Sequence, residues 1–221
     1  MSSAARDRIM SNIRAAAGDG GEAPATACLP IATYGPQEKI DRLKSLMEAV
    51  KTEVHVVSKK DWPTVVKSVL RQRKLKTLLY APETALGPEL EKAWQNDSEG
   101  LPELVVYEGD IESFKETLFQ TDAAITTTVG AIAETGAVVL WPDSTEPRLM
   151  SLVPSVHIAV VESATIYNSF CEIIQTQSWP EKMPTNVILI SGPSKTADIE
   201  MTLAFGVHGL SLIHISEPTR L

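Results

Sequence analysis

From residue 37 onward, the chain alternates between segments with helical periodicity and short apolar runs. The first helical segment places Ile40, Leu43 and Met47 on one face, as an amphipathic helix does. The apolar runs that follow are continuous rather than alternating, which is typical of strands covered on both faces. The predicted strands are Val54–Val57, Thr77–Tyr80, Leu104–Tyr107, Ala123–Thr127, Ala137–Leu140, Val156–Val161 and Val187–Ile190. This order predicts an α/β domain of three layers, in which helices flank a mostly parallel sheet.

Composition and charge exclude several classes of protein. With 221 residues, of which 43% are hydrophobic, the chain has enough apolar side chains for one sizeable core. The net charge of −8 disfavours a nucleic-acid surface, which needs a basic stripe. The sequence contains neither the run of about 18 apolar residues that spans a membrane nor a secretory signal. These features predict a soluble cytoplasmic protein whose two cysteines, Cys28 and Cys171, are reduced.

The N-terminal region has a different pattern. Residues 1–17 are predicted to form a helical arm, because Ile9 and Ile13 are spaced four apart among charged residues. Residues 18–36, which include GDGGEAPATACLP, predict a linker rich in Gly, Pro and Ala. The α/β domain is assigned to residues 37–209. An arm on such a linker is better suited to docking on a partner, or on another copy, than to building the core.

The last residues are predicted to be foreign to the protein. Leu210–Arg220, with the sequence LSLIHISEPTR, matches what a transposase sequencing adapter encodes when it is read in frame. We therefore interpret residues 210–221 as a non-native tail and leave them out of the functional argument. On this interpretation, the natural chain continues beyond Gly209 with other residues, and the final strand of the fold is absent.

Residues 130–150 carry the first candidates for chemistry. Glu134 stands among small and apolar residues and is followed by Thr135 and Gly136. If the fold removes its carboxyl group from water, Glu134 can act as an acid, a base or a nucleophile. Alternatively, it accepts hydrogen bonds from turn N–H groups or pairs with Arg148.

Two further charged candidates, Glu146 and Arg148, flank Pro147 just beyond the same apolar run. Arg148 can clamp a carboxylate through two parallel hydrogen bonds, or it can pair with an acid to hold the loop. His157 stands at the start of a predicted strand and is interpreted as a core histidine. No spaced group of His, Cys and Asp predicts a metal site.

The third candidate region follows the predicted strand that ends at Ile190. A Ser-Gly-Pro turn separates that strand from a helix predicted to begin near Ser194 or Thr196. The N–H groups at a helix start bind anions, and Lys195 would add a positive charge. The alternative is simple capping, because two acids in the first turn already complement the helix dipole. The candidate ligand-binding residues of this region are Ser191, Gly192, Ser194, Lys195 and Thr196.

These three regions are predicted to form one site. Loops that follow the strands of an open α/β sheet meet at one edge of that sheet. We therefore predict that Glu134, Arg148 and the amides around Ser194 surround a common hollow. In it, Lys195 and the amides would hold a small anion, while Glu134 and Arg148 line the wall.

Four segments together carry a resemblance to a known family. They are SAARDRIMSNIR, AIAETGAVVLWP, STEPRLMSLVPSVHIAVV and SGPSKTADIEMTLAFGVHG. In this order they resemble the LUD family, specifically its lactate utilization protein C members, over residues 2–209. The resemblance implies the fold of the sugar-phosphate isomerases and coenzyme A transferases. It also implies a role in oxidising L-lactate to pyruvate, alongside two iron–sulfur partner proteins.

The resemblance leaves two functions open. In the first, the chain is an accessory subunit that carries no iron–sulfur cluster and no other cofactor, because two cysteines cannot hold a cluster unaided. Its ligand would be a small anion such as lactate, pyruvate, phosphate or coenzyme A. In the second, it is an independent acyl or coenzyme A transferase, because Glu134-Thr135-Gly136 resembles the E-N-G motif that carries the nucleophilic glutamate of related transferases. A regulatory or nucleic-acid-binding module is disfavoured by the acidic charge.

Overall fold

The computed structural model describes residues 3–17, 32–109, 111–182, 185–193, 195–197, 203–205 and 212–217. The chain divides into two compact units, Met1–Ile31 and Ala32–Leu221. In the first unit, helix α1 (Ser3–Ala17) occupies the residues predicted for the arm. Residues 18–31 of the predicted linker lie outside the described residues.

The second unit alternates between helices and strands. Its helices are α2 (Pro36–Ala49), α3 (Trp62–Arg73), α4 (Gly87–Asn96), α5 (Ile111–Gln120), α6 (Leu149–Leu152) and α7 (Phe170–Thr176). Its strands are β1 (Glu53–Ser58), β2 (Thr77–Tyr80), β3 (Glu103–Val106), β4 (Ala123–Thr127), β5 (Gly130–Ile132), β6 (Ala137–Leu140), β7 (Val156–Glu162), β8 (Ile166–Tyr167), β9 (Ile188–Ile190), β10 (Lys195–Ala197), β11 (Leu203–Phe205) and β12 (Leu212–Glu217). Two short 3-10 helices lie at Ser163–Thr165 and Trp179–Glu181.

The larger sheet is parallel throughout. Its six strands follow the order β1-β12-β7-β4-β2-β3, and each neighbouring pair runs in the same direction. Strand β7 is buried at every position from Val156 to Val161, as expected for a strand with a layer on each face. The predicted α/β class with a mostly parallel sheet is confirmed.

A second sheet holds two strands that the sequence placed in the first. Its order is β8-β5-β6-β9, with β6 antiparallel to both of its neighbours. The turn at residues 133–136 joins β5 to β6 as a hairpin. Runs that are apolar on both faces fit either sheet, so their composition did not distinguish the two sheets.

Alternate side chains of the large sheet pack against different layers. Leu78 belongs to a core formed with α3 and α4 on one face, whereas Leu79 packs with α5 on the other. On that second face, the β7 side of the sheet is covered by α2 and the four-stranded sheet. Helix α7 covers the far side of the small sheet through Ile173. The connections after β2 and after β4 therefore leave the large sheet on opposite faces.

A buried lysine fixes α4 against α3. The Lys67 ammonium donates hydrogen bonds to the carbonyl oxygens of Ala93, at 2.5 Å, and Asp97, at 2.8 Å. Carbonyl groups in the last turn of a helix have no partner within the helix, so Lys67 supplies one. Because α4 follows directly from the loop after β2, this contact also helps to hold that loop.

Residues Leu212–Glu217 form β12, which lies between β1 and β7 in the large sheet. The non-native origin of this segment and the absence of the natural final strand both stay predictions. Cys171 is disulfide-bonded, which corrects the expectation of reduced cysteines.

Candidate functional site

The large sheet has a crevice at its carboxyl edge between β2 and β4. The two strands pair only at Leu78 with Ala123 and at Leu79 with Ala124, and they separate beyond that point. The chain then leaves β2 toward α4 on one face and leaves β4 toward the small sheet on the other. Open α/β sheets bind their ligands where neighbouring connections diverge in this way. This crevice is therefore the first place to look for a site.

A cleft of about 670 Å³ occupies this position, and we call it the β2–β4 cleft. Its walls include residues 83–85 after β2, Thr127 and Val129 at the end of β4, Trp141 and Glu146 after β6, and Lys182. It adjoins a smaller inner hollow of about 30 Å³, which is lined by Thr126, Thr127, Glu146, Arg148 and Ser151, among others. Clefts of a few hundred Å³ are the usual size for small-molecule sites.

Glu146 is the carboxylate at the centre of this region. Its two carboxylate oxygens accept the Thr127 N–H at 3.0 and 3.2 Å, and one of them also accepts the Thr127 hydroxyl. Burial raises the pKa of Glu146, the hydrogen bonds from Thr127 oppose that rise, and the nearby charge of Asp143 adds to it. The cleft therefore holds a half-buried carboxyl group that takes up a proton more readily than an exposed one.

The loop that carries Glu146 is held by its own polar groups. The Asp143 carboxylate accepts the backbone N–H groups of Thr145, at 2.7 Å, and Glu146, at 2.9 Å. This pattern is an Asx turn, in which a side chain replaces a backbone partner. The Ser151 hydroxyl donates to the carbonyl oxygen of Arg148 at 2.8 Å and ties the loop to α6.

Arg148 lines the inner hollow with an exposed side chain. Within the part of the chain that the structure describes, its guanidinium group forms neither an ion pair nor a side-chain hydrogen bond. The predicted alternative, in which Arg148 pairs with Glu134 or another acid to hold the loop, is therefore not what the structure shows. An unpaired guanidinium group beside a cleft is suited to binding a carboxylate or a phosphate.

Glu134 lies elsewhere, in the turn between β5 and β6. Glu134 and Thr135 are exposed, and Gly136 packs against Leu46 of α2. The Glu134 N–H donates to the carbonyl oxygen of Asn168 at 3.1 Å. The predicted role of Glu134 as an acid, base or nucleophile required a buried carboxyl group. Because this side chain is exposed, that role stays a prediction and burial does not support it.

The Ser191 region also lies beside α2. A Cβ atom at Gly192 would approach Val50 Cγ2 to 2.6 Å, so this glycine allows the chain to pass close to the end of α2. Lys195 and Thr196 belong to β10, which pairs antiparallel with β11, and Ser194 lies outside the described residues. The helix predicted to begin there is wrong, because these residues enter a strand ladder whose N–H groups face a neighbouring strand.

The structure places the described members of the predicted hollow in two groups rather than one. Strand β6 begins at Ala137, next to the Glu134 turn, and ends at Leu140, which lines the inner hollow. Its four residues separate the two ends by roughly 10 Å. Glu146 and Arg148 come together, whereas Glu134, Thr135, Gly136, Ser191 and Gly192 lie at the opposite end of the small sheet. The prediction assumed parallel strands, but β6 runs antiparallel to β5 and β9.

Two groups at the site were not predicted as site residues. Thr127 provides both donors to Glu146, and Trp141 forms a wall of the cleft while its ring packs edge to face on Trp179, with centroids 5.3 Å apart. A signal for the first existed, because three successive threonines, residues 126–128, end a buried apolar strand. The side-chain packing of Trp141 is non-local and leaves no such signal.

His157 lies in the core beneath the site. Its side chain is fully buried, and Nε2 lies 2.8 Å from the hydroxyl of Thr126. Among the residues that the structure describes, its Nδ1 has no hydrogen-bond partner. Burial lowers the pKa of His157 to about 3, which keeps the ring neutral at physiological pH. The predicted core location is confirmed.

Metal ligands and membrane spans are absent from the described residues. No cluster of three or more His, Cys, Asp or Glu side chains among them has an arrangement that could hold a metal ion. None of the described helices combines the length and hydrophobicity needed to cross a bilayer.

Known proteins resemble this chain over most of its length. The LUD domain family matches residues 40–215. An uncharacterized protein of Neisseria meningitidis serogroup B is 39% identical over 176 residues, which are 77% of this chain and 74% of that protein. Lactate utilization protein C 1 of Bacillus mycoides is 32% identical over 178 residues, covering 78% and 75% of the two chains. Lactate utilization protein C of Oceanobacillus iheyensis is 26% identical over 220 residues, covering 92% and 94%.

A solved structure supports the fold. The crystal structure of a DUF162 family protein from Deinococcus radiodurans aligns with a TM-score of 0.61, over 84% of this chain and 99% of that one, at 17% identity. The sequence matches confirm the family that the four motifs predicted. The chain therefore belongs to the LUD domain family.

Proposed function

We propose that this chain is an accessory subunit of a cytoplasmic system that oxidises L-lactate to pyruvate, and that iron–sulfur clusters reside on its partner proteins. The names of several relatives, lactate utilization protein C, support the role in lactate utilization. With two cysteines in 221 residues, the chain lacks the four thiolates that a cluster normally requires. These two observations support the accessory role.

Within that role, the β2–β4 cleft binds a small organic acid. The observation that carries this proposal is that Arg148, whose guanidinium group has no partner among the described residues, lines a hollow together with the half-buried Glu146. A guanidinium group binds a carboxylate through two parallel hydrogen bonds, which lactate and pyruvate both offer. The threonine hydroxyls nearby can donate to, or accept from, the oxygen on the second carbon of either acid.

The exposed apolar side chains of α1 suit a docking role for the arm. Ile9 and Met10 are 52% and 42% exposed. A helix that presents apolar residues to solvent gains most when a partner covers them. We propose that the iron–sulfur subunits dock here.

The alternative function, an independent transferase that uses Glu134, receives less support. Glu134 is exposed and lies outside the β2–β4 cleft, whereas a nucleophilic carboxylate needs a substrate site beside it.

Growth on L-lactate tests the proposal. In a strain that lacks this gene, Arg148→Ala should fail to restore growth on L-lactate and should leave growth on glucose unchanged. The reason is that loss of a charge-assisted pair weakens ligand binding by about 10- to 100-fold. Arg42→Ala is the matched control, because Arg42 is an exposed arginine on α2 whose guanidinium carbon lies 4.9 Å from the Tyr34 ring centre. Full growth with Arg148→Ala at normal protein level would contradict a role for the cleft.

A further inference from the structure

The N–H and hydroxyl of Thr127 form a binding site for a carboxylate, and the carboxylate of Glu146 occupies it. Both oxygens of Glu146 lie on the Thr127 N–H, and the Thr127 hydroxyl donates to one of them. Two donors from one residue at the end of a central strand are a carboxylate-binding arrangement. Arg148 lines the same hollow and stays unpaired within the described residues, although Glu146 is two positions away in the sequence.

The shape of the occupant matches the proposed ligand. From Cβ to its carboxyl group, the side chain of a glutamate contains three carbons, which is the carbon skeleton of lactate and pyruvate. The carboxylate of Glu146 therefore stands in for the carboxylate of a free three-carbon acid. Its Cγ occupies the place of the second carbon of such an acid. Cβ stays bonded to the backbone when the side chain rotates, so the third carbon of the acid would lie toward the wider cleft.

The Thr127 donors cannot serve two carboxylates at once. Both the N–H and the hydroxyl of Thr127 donate to Glu146, so the carboxylate of lactate cannot reach these donors while Glu146 remains in place. The β2–β4 cleft outside, at about 670 Å³, has room for the displaced side chain.

We propose that the Thr127 N–H and hydroxyl form a seat for the carboxylate of a three-carbon 2-hydroxy or 2-oxo acid, with Arg148 lining the hollow beside it, and that Glu146 occupies this seat until the acid displaces it. The inference rests on the proposed function for the identity of the acid. Displacement needs only rotation of the Glu146 side chain, because Asp143 continues to hold the Glu146 backbone N–H. Moving the carboxylate into the wider cleft also relieves its burial, and the raised pKa of Glu146 agrees with a charge that is only partly stabilised where it lies.

Titration calorimetry on the purified full chain tests this inference, with pyruvate and L-lactate as probes and lactamide as the neutral control. Glu146→Ala empties the seat, so it should bind pyruvate and L-lactate at least 10-fold more tightly than the unaltered protein, whereas lactamide binding stays undetectable. Glu146→Gln leaves an isosteric side chain in the seat and should stay within about 3-fold of the unaltered protein. Glu116→Ala removes an exposed carboxylate on α5, away from the cleft, and should also change affinity by less than 3-fold.

Equal or weaker binding by Glu146→Ala would overturn the inference, and so would an equal gain with Glu116→Ala, since the effect would then be one of general charge. If Glu146→Ala is only marginally folded, propionate should raise its melting temperature while propionamide does not; no rise with propionate would also overturn the inference.

Propionate binding and growth on lactate together distinguish the failure of this inference from the failure of the proposed function. If it fills the vacated seat while Arg148→Ala still supports growth on lactate, the seat stands and the lactate role fails. If growth requires Arg148 but Glu146→Ala gains no affinity, the seat fails and the lactate role stands.

Discussion

Replacing Gly136 by alanine should lower the melting temperature by about 10 °C, whereas Gly100→Ala should lower it by only about 4 °C. Both glycines have left-handed backbone angles, with φ of +65° and +67°, so an added Cβ costs each of them about 1–2 kcal/mol. They differ in their surroundings. A Cβ at Gly100 meets nothing within 4 Å, whereas one at Gly136 would collide with Cβ of Leu46 in α2.

The collision adds about 1–3 kcal/mol to the cost at Gly136, because α2 or the turn must move. Leu46 and the turn also fix where the small sheet lies against α2, so the damage extends beyond one contact. Differential scanning calorimetry of the two variants measures the difference directly. Equal decreases in melting temperature would show that the Glu134 turn does not pack on α2 and would undermine the placement of the small sheet.

The stability of the protein should fall between pH 7 and pH 5 by about 2 kcal/mol on account of His157 alone. Burial lowers the pKa of His157 to about 3 in the folded state, from an ordinary value of 6.5. Below pH 6.5, His157 therefore binds a proton in the unfolded chain but not in the folded chain. As the pH is lowered, the free energy of unfolding decreases until the pH reaches the folded pKa. The unfolded pKa of His157 lies about 1.5 units above pH 5, which corresponds to about 2 kcal/mol at 1.36 kcal/mol per unit.

Urea unfolding at pH 7 and pH 5 tests this, with His157→Leu as the variant and His55→Gln as the control at a half-buried histidine. The loss of stability between the two pH values should be about 2 kcal/mol smaller in His157→Leu than in the unaltered protein, whatever its stability at pH 7. His55→Gln should keep the full loss. Glu146 has the opposite effect, because its raised pKa makes the folded state bind a proton at a higher pH than the unfolded state does. All three proteins contain Glu146, so its contribution cancels when they are compared. An identical loss in His157→Leu would mean that the ring is not held neutral by burial.

The sequence predicted the large sheet better than the small one, for a physical reason. Strands such as Thr77–Tyr80 and Ala123–Thr127 are continuous apolar runs between helices, and local composition identifies them. Ala137–Leu140 has the same composition but pairs antiparallel with β5 and β9. Which strand pairs with which is decided by contacts between residues distant in the chain, and apolar composition does not encode it.

The same limit explains which site residues came together. Glu146 and Arg148 follow the apolar run closely, and a short Asx turn holds them at the cleft, so their association is local and could be predicted. The association of Glu134 with Arg148 required a correct direction for β6, which the sequence did not supply. Glu134 and Ser191 lie at the same end of the small sheet, because Val138 of β6 pairs with Ile190 of β9. Thr127 could have been found, since a polar residue at the end of a buried central strand faces the edge where ligands bind.

A crystal structure of the full chain with pyruvate tests the central claim most directly. The account predicts pyruvate in the β2–β4 cleft, with its carboxylate within hydrogen-bond distance of the Arg148 guanidinium group and of the Thr127 N–H, and with Glu146 turned away from Thr127. Pyruvate bound instead beside Glu134 or Ser191, or an empty cleft at saturating pyruvate with Glu146 still on Thr127, would contradict it.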